Sequence, residues 1–505
     1  MLNWNDINKY RENNRLEAKR ATGGLPHSIW ETYSAFANTN GGVILLGVEE
    51  KPDKSLKVTG LDKPEKLVTD FWNNINNPQK VNINLLNDKK VNIIEIDGER
   101  IIAIEVPRAE RVDKPIYINQ NPERGTYRRN NEGDYHCTKE EVSAMYRDNS
   151  IKTQDMKVLE KMDFSVFSYE SIRGYRNVMK LTSPDHIWVN IEDDDFLYRI
   201  GAVAFGEDNK LHPTAGGLLM FGYEYEIMKE YPQYFLDYQE QFDSSNRWDD
   251  RFISSSGDWS GNVYDFYRKA YNKIQQHIKV PFKVVDGLRV EDTPVHRAIR
   301  EALANCLINA DYYGRQGLVI KYKPHEITME NPGRFRIDVE IAKEGIITDP
   351  RNSLLMKYFN LIDVGERSGK GIYEIYQVWS DMKWNTPIID EMLDYDRTKL
   401  ILPLTKVTAK SDDNGIDGAE NGVDYRKIGD DNGDDGDDNG DDNIAIILKM
   451  LSENPKITQP NLAKKTGISA RTISRIISNL RDSGVIRRVG SDRAGYWKII
   501  ESRKQ

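Results

Sequence analysis

The sequence predicts a multidomain protein of α/β (α+β) class that ends in a small helix-and-hairpin module. Three observations carry this. The chain has 505 residues, several times the roughly 100–200 residues of one domain. Helical and strand periodicities alternate through the region before residue 405. Charge is also partitioned along the chain. Residues 408–442 hold thirteen Asp/Glu against Lys410, Arg426 and Lys427, a balance of −10, whereas residues 443–505 hold thirteen Lys/Arg against four acids, a balance of +9. The overall charge of −9 conceals this contrast, which points to a basic nucleic-acid-binding module on an acidic tether.

Composition excludes several classes. With 38% hydrophobic and 30% charged residues, the chain is neither collagenous nor wholly disordered. No run approaches the roughly 20 apolar residues of a membrane span, and the N-terminus lacks the apolar core of a signal peptide, so a cytoplasmic protein without a membrane role is expected. Two cysteines, Cys137 and Cys306, are too few for a disulfide framework or a Cys-based zinc site.

The elements follow in order. Residues 1–150 read as one α/β domain: an early helix, a helical stretch through Ile29 to Asn38, a buried strand at Val43 to Val48, and strands near Val91 to Ile96 and Ile101 to Val106. Residues 151–290 form an α/β connecting region with an aromatic-rich segment, Tyr223 to Tyr238, that reads as core or interface. His136 and His212 have no His or Cys partner at metal spacing and read as surface or packing residues. Residues 291–407 open with a long helix and return to strands at Leu318 to Tyr322 and Leu400 to Leu404, and the border near 290 is soft. Residues 408–442 (DDNGIDGAENG, then GDDNGDDGDDNGDD) have almost nothing to bury and read as a disordered linker.

From Asn443 the pattern is an apolar helix, a second helix near Gln459 to Thr466, a turn at Gly467, a third helix from Arg471 to Asp482, and two strand-like runs about a Gly/Asp turn. Three helices and a hairpin make a winged helix-turn-helix, whose second paired helix enters the major groove. Arg471 and Arg475 are therefore candidate DNA contacts, together with Thr472, Ser474 and Asn479. Arg487, Arg488 and Arg493 on the wing would meet phosphate. Winged helices also serve protein contacts; the charge of +9 favours DNA.

The segment HRAIREALANCLINADYYG sets Glu301, Asn305 and Asn309 at i, i+4 and i+8 on one helix face. A carboxylate can polarise water, and amide oxygens suit Mg²⁺ bridging phosphates. Downstream, ENPG at 330–333 and GERSGKG at 365–371 let backbone amides approach phosphate. The latter is one residue short of a P-loop and lacks its Ser/Thr, which excludes Walker chemistry.

E-x-x-x-N-x-x-x-N-A, NPG and G-x-x-x-G-x-G together resemble the GHKL or Bergerat ATP-binding fold, an α/β sandwich. REALANCLINADY, ITMENPGRF, RNSLL and GERSGKGIYEIY resemble more closely the divergent domain labelled RecG-like, or divergent AAA, in bacterial and archaeal regulators. The resemblance implies ATP with Mg²⁺, Glu301 as water-activating base, Asn305 as metal ligand, Asn309 near the phosphates, and Gly365, Gly369 and Gly371 as lid glycines. At the position of the adenine-binding Asp, the chain instead has Asn331-Pro332-Gly333. No helicase motor motif is visible.

The string RENNRLEAKRATGGLPHSIWETYSAFANTNGGVILLGVEE sets Glu12 and Glu17 five apart, Lys19 two further on, and Glu49-Glu50 at the end of a strand. Hard carboxylate oxygens of this kind can hold Mg²⁺ or Mn²⁺ and position water on a phosphodiester. Ion-pairing of Glu17 with Lys19 or Arg20 is the other reading. The string resembles the AlbA-type domain of Schlafen proteins over residues 1 to about 145. That resemblance implies either a metal-dependent nuclease using Glu12, Glu17 and one of Glu49 or Glu50, or a nucleic-acid-binding regulator. ERGTYRRNNEG matches the family's R-G-x-Y-x-R element. Its Arg124, Tyr127, Arg128 and Arg129 either grip phosphate and stack on a base or form a solvated charged hairpin. The sequence thus predicts an ATP-responsive regulator that binds DNA through the winged helix and DNA or RNA through the N-terminal domain, with homo-oligomers allowed. A nucleotide-gated nuclease acting in phage defence is the alternative.

Overall fold

The computed structural model describes residues 12–242, 247–278, 283–285, 288–290, 293–365, 370–392 and 395–406, with single positions and two strands between 447 and 499. The chain divides into two compact units, residues 1–409 and 410–505.

The N-terminal domain is built on a four-stranded sheet. Leu16–Lys19 runs parallel to Gly42–Leu46, which pairs antiparallel with Glu99–Val106, and that strand with Val91–Ile96. The helix Ile29–Asn38 lies against the sheet on Ile29, Tyr33 and Phe36. Its polar residues are buried too, because the chain from Ile116 to Tyr127 covers the outer side. Ser34 Oγ donates to the Ile116 carbonyl at 2.7 Å, and Asn38 Nδ2 to the Ile116 and Tyr127 carbonyls at 2.7 and 3.0 Å. The following glycines are steric requirements. Gly41 takes φ +68° with its missing Cβ position 2.8 Å from the Val106 carbonyl oxygen, and Gly42 has Arg15 O and Phe36 equally close. The strand expected over Val43 to Val48 is broken at Gly47, whose φ of +87° turns the chain into a separate hairpin, Val48–Glu50 against Leu56–Val58. The early helix expected at the N-terminus falls outside the described residues.

The region from Leu159 to Leu402 shares one hydrophobic core. A six-stranded mixed sheet runs in the order Asp250–Ile253, Leu236–Glu240, Leu318–Lys323, Glu326–Pro332, Arg397–Pro403, Ile388–Met392. Its first two strands come from the connecting region and its other four from beyond residue 290, so no structural border falls at 290. Tyr231, Tyr234 and Tyr238 are buried in this core. The central helix Pro294–Ile308 buries Val295, Ile299, Ala302, Leu303 and Leu307, and the helices Val263–His277, Ser353–Leu361 and Gly371–Asp381 pack around it.

In the second unit, Ile447, Leu451, Leu462, Ile473, Ile476, Ile477 and Leu480 are buried helical positions. The spacing of the last four, i, i+3, i+4, i+7, is that of one apolar helix face. Ile486–Val489 pairs antiparallel with Tyr496–Ile499. Arg487 and Arg488 lie on the first of these strands; Arg471, Arg475, Arg493 and the acidic segment 408–442 fall outside the described residues. No described helix is long and apolar enough to cross a membrane.

Candidate functional site

The central helix and the ends of two neighbouring elements form one wall of a cleft open to solvent. Glu301, Asn305 and Asn309 line it from the helix, Asn331 from the end of Glu326–Pro332, and Gly371 from the start of the opposite helix. Three sequence segments read separately thus converge on one space. Asn305 Nδ2 donates to Glu301 Oε1 at 3.0 Å, leaving Oδ1 as the amide atom outside that bond. A methyl group on Gly371 would collide with the Glu301 carboxylate, and one on Gly365 would stand 3.7 Å from it. Glu301 therefore lies at the N-terminal end of the helix Gly371–Asp381, where the helix dipole favours negative charge. Gly369 falls outside the described residues. The rest of the lining is largely apolar, with Met329, Ile347, Ile375 and Leu400. Cys306 also lines the cleft, and burial raises its thiol pKa, so it stays protonated.

Arg351 explains Gly333. It donates to the Asn309 carbonyl at 3.1 Å and the Arg334 carbonyl at 3.1 Å, and its guanidinium occupies the space a Gly333 side chain would need. The same Arg351 forms a bidentate pair with Asp148 at 3.0 and 2.8 Å. The wall of the cleft is thereby tied to the N-terminal region. Arg334, Arg336, Arg351 and Asp148 were not singled out from sequence; the RNSLL string was visible there, but its long-range partner was not.

At the N-terminal acidic cluster, Ala18 N donates to Glu12 Oε1 at 2.9 Å. Burial is the main cause that raises the Glu12 pKa, with the charges of Glu17 and Glu50 adding to it. Glu50, not Glu49, is thus the third acid in electrostatic reach; Glu49 pairs instead with Arg20 at 3.6 Å and Lys57 at 3.7 Å. Glu17 is held by Lys19 at 2.7 Å and by Arg129 at 2.9 Å. Glu50 Oε1 is a buried oxygen with no hydrogen-bond donor, whereas Glu17 Oε2 takes the ion contact with Arg129. Among the described residues, no three His, Cys, Asp or Glu side chains sit at spacing that could hold a metal ion.

The R-G-x-Y-x-R element needs correction. Arg129 is 1% exposed, stacks 5.1 Å from the Phe36 ring centroid and pairs with Asp134 at 2.9 Å. It is an internal strut and cannot meet a phosphate. Tyr127 is buried against His136, with ring centroids 4.3 Å apart, so it cannot stack on a base. Arg128 is largely buried and pairs with Glu141 at 3.1 Å. Lys19 is likewise largely covered beside Glu17. Arg124 alone of these five is exposed. The alternation of a strand placed one face of this polar string inward, which composition could not disclose.

Comparison with known proteins matches residues 12–138 to the Schlafen AlbA_2 family and residues 441–487 to a winged helix-turn-helix DNA-binding family. Residues 143–237 match a domain of unknown function, DUF8451. No curated protein matches the chain. Among solved structures, the DIP2311 protein of Corynebacterium diphtheriae is 16% identical with a TM-score of 0.39, over 96% of this chain and 92% of that one. The N-terminal domain of an ATP-dependent DNA helicase RecG-related protein from Nitrosomonas europaea is 29% identical with a TM-score of 0.22, over 27% of this chain and 95% of that one. The chain therefore carries an AlbA_2 domain at its N-terminus and a winged helix-turn-helix near its C-terminus, two domains associated with nucleic-acid binding and regulation.

Proposed function

We propose that the protein is a nucleic-acid-binding transcriptional regulator whose α/β domain responds to a purine nucleotide with Mg²⁺. The observation that carries the nucleotide reading is the convergence of Glu301, Asn305, Asn309, Asn331 and Gly371 on one cleft with polar residues along the central helix and an apolar remainder. The donor set fits: an amide oxygen at Asn305 is a hard ligand for Mg²⁺, and Glu301 stands one hydrogen bond away to polarise water. When bound, the metal would neutralise phosphate charge. Asn331 is a buried amide at the base-recognition position, and an amide offers both a donor and an acceptor to a purine edge. The architecture of sheet, central helix and covering helices supports a Bergerat-like reading of this domain.

Calorimetry with ATP and Mg²⁺ tests the proposal. Wild-type protein should give a binding heat that Asn305→Ala removes, while Glu301→Ala keeps binding and loses any hydrolysis. Absence of heat with every purine nucleotide would refute it. For the DNA arm, Arg487→Ala should weaken duplex binding and lower the salt slope by about one.

A second reading, a Mn²⁺- or Mg²⁺-dependent nuclease, is favoured by one observation, the buried Glu50 Oε1 without a hydrogen-bond donor in electrostatic reach of Glu12. Incubating labelled RNA and DNA with Mn²⁺ or EDTA separates the two readings. Cleavage that disappears in Glu50→Gln supports the nuclease; no cleavage by wild type leaves the regulator.

A further inference from the structure

Part of the cleft wall is a segment that buries little apolar surface against the sheet domain. Residues 334–337 line the cleft at one end of it, Ala342 in the middle and residues 347–350 at the other end. Its short helix, Val339–Glu344, buries Ala342 alone and leans on the helix Gly371–Asp381, with Lys343 Nζ 5.7 Å from the Tyr376 ring centroid. None of the apolar side chains of residues 335–347 joins the core shared by Leu159 to Leu402, and Ile346 is 70% exposed. Such a segment has low local stability of its own, so its place depends on what holds its two ends.

Both ends are gripped by arginines of the N-terminal domain. Arg108 Nη2 donates to the Phe335 carbonyl at 2.5 Å, while its Nη1 pairs with Glu391 at 3.2 Å. Glu391 in turn accepts the Phe335 amide at 2.9 Å, so one ion pair between the domains holds both backbone groups of Phe335. The sheet domain adds Asp396, which pairs with Arg334 at 3.1 Å. At the other end, Arg111 Nε pairs with Asp349, and Arg111 Nη1 donates to the Asp148 and Ser150 carbonyls at 2.8 and 3.1 Å. Arg336 ties the ends together, donating to the Pro350 carbonyl at 2.7 Å and to the Asp148 carbonyl at 3.0 Å. Neither Arg108 nor Arg111 lines the cleft. The place of Arg108 is set by the turn after the helix Ile29–Asn38: the Ala109 amide donates to the Ala37 carbonyl at 2.8 Å, and a Cβ on Gly41 would stand 2.8 Å from Arg108 N.

We infer that Arg108 and Arg111 are positioning residues for the ligand cleft: they seat the segment from Arg334 to Pro350, and occupancy of the cleft is thereby linked to the seating of the N-terminal domain. This rests on the nucleotide reading of the cleft. The linkage is reciprocal. Arginines that favour the seated wall raise ligand affinity, and a ligand packed against that wall tightens the hold of the N-terminal domain on it.

Calorimetry with ATP and Mg²⁺ on the full chain tests the inference in wild type, Arg108→Met, Arg108→Lys and Arg111→Met, beside hydrogen exchange of the wild type with and without the ligand. Arg108→Met and Arg111→Met should each weaken ATP binding by about fivefold or more. Arg108→Lys should weaken it less, since an ammonium keeps the charge opposite Glu391 but lacks the fork that also reaches the Phe335 carbonyl. In wild type the ligand should slow exchange at residues 108–114 as well as at 334–350. An arginine that only stabilised the fold would lower the unfolding midpoint and leave both affinity and ligand-dependent exchange unmoved. The exchange measurement needs no substitution, so it decides even if Arg108→Met folds poorly. No binding heat in wild type would refute the nucleotide reading and this inference with it. Wild-type binding that both methionine variants keep within about twofold, or no slowing at residues 108–114, would overturn the positioning role alone.

Discussion

Arg129 shows how one side chain can reverse the reading of a motif. Its guanidinium is shared between Glu17, Asp134 and the Asn13 carbonyl, and removing it leaves Asp134 without its countercharge and Glu17 with Lys19 alone. Arg129→Met is therefore expected to lose about 3–5 kcal/mol of folding stability, in the range seen when one partner of a buried pair is removed, measured as a shift in urea midpoint at constant slope. An exposed phosphate-binding arginine would leave that midpoint unmoved. Glu12 makes a second prediction. Its folded pKa is raised above the ordinary 4.5, chiefly by burial, so the folded protein binds this proton more tightly than the unfolded chain. Stability from this group is complete below pH 4.5 and declines as pH rises through the raised value. Glu12→Gln should flatten that decline in a series of chemical denaturations from pH 4 upward; a parallel decline in the variant would exclude Glu12 as its source. The acids and the R-G-x-Y-x-R string were legible in the sequence as charged groups near one another. Which of them face inward was not, because burial depends on the strand partner, and for Arg129 that partner strand is the one bearing Asp134.

Among the elements, the helix Ser353–Leu361 is capped from nearly two hundred residues away. Asp155 Oδ2 accepts the Leu354 and Leu355 amides at 2.6 and 3.1 Å, and the carboxylate is fully buried. Asn352, just before the helix, donates through Nδ2 to the Ile308 and Ala310 carbonyls at 2.9 and 2.8 Å, closing the end of the central helix. The cap and the cleft are thereby linked. Asp155→Ala is expected to cost about 1–2 kcal/mol, the upper range for a lost N-cap, and to weaken the ATP binding proposed above if the helix end shifts Asn309. Thermal unfolding and calorimetry on the same variant check both; an unshifted Tm would remove the cap from the account. Sequence periodicity located the helix Ile29–Asn38 and the strand Val91–Ile96 at their observed bounds. It could not find a cap whose two halves lie 199 residues apart, nor the break at Gly47, where a positive φ interrupts an unbroken apolar run.

Among the described residues of 12–406, arginine–carboxylate pairs join the two domains: Arg108 with Glu391, Arg111 with Asp349, Arg147 with Asp311, and Asp148 with Arg351. A double-mutant cycle on Asp148→Asn and Arg351→Lys should return a coupling energy of about 1–3 kcal/mol, read from denaturation of the two single variants and the double. Additive effects would mean that the pair only decorates the junction. The charge contrast between residues 408–442 and 443–505 was plain from composition, whereas this junction was invisible there, since each member looks like an ordinary surface charge until its partner is known. The pairing also limits how far the domains can be exchanged. A chimera that joined this N-terminal domain to a foreign sheet domain would inherit four cations or anions cut to fit absent counterparts, so recombination between relatives should succeed only when Asp148, Glu391, Asp349 and Asp311 travel together with the arginines they match.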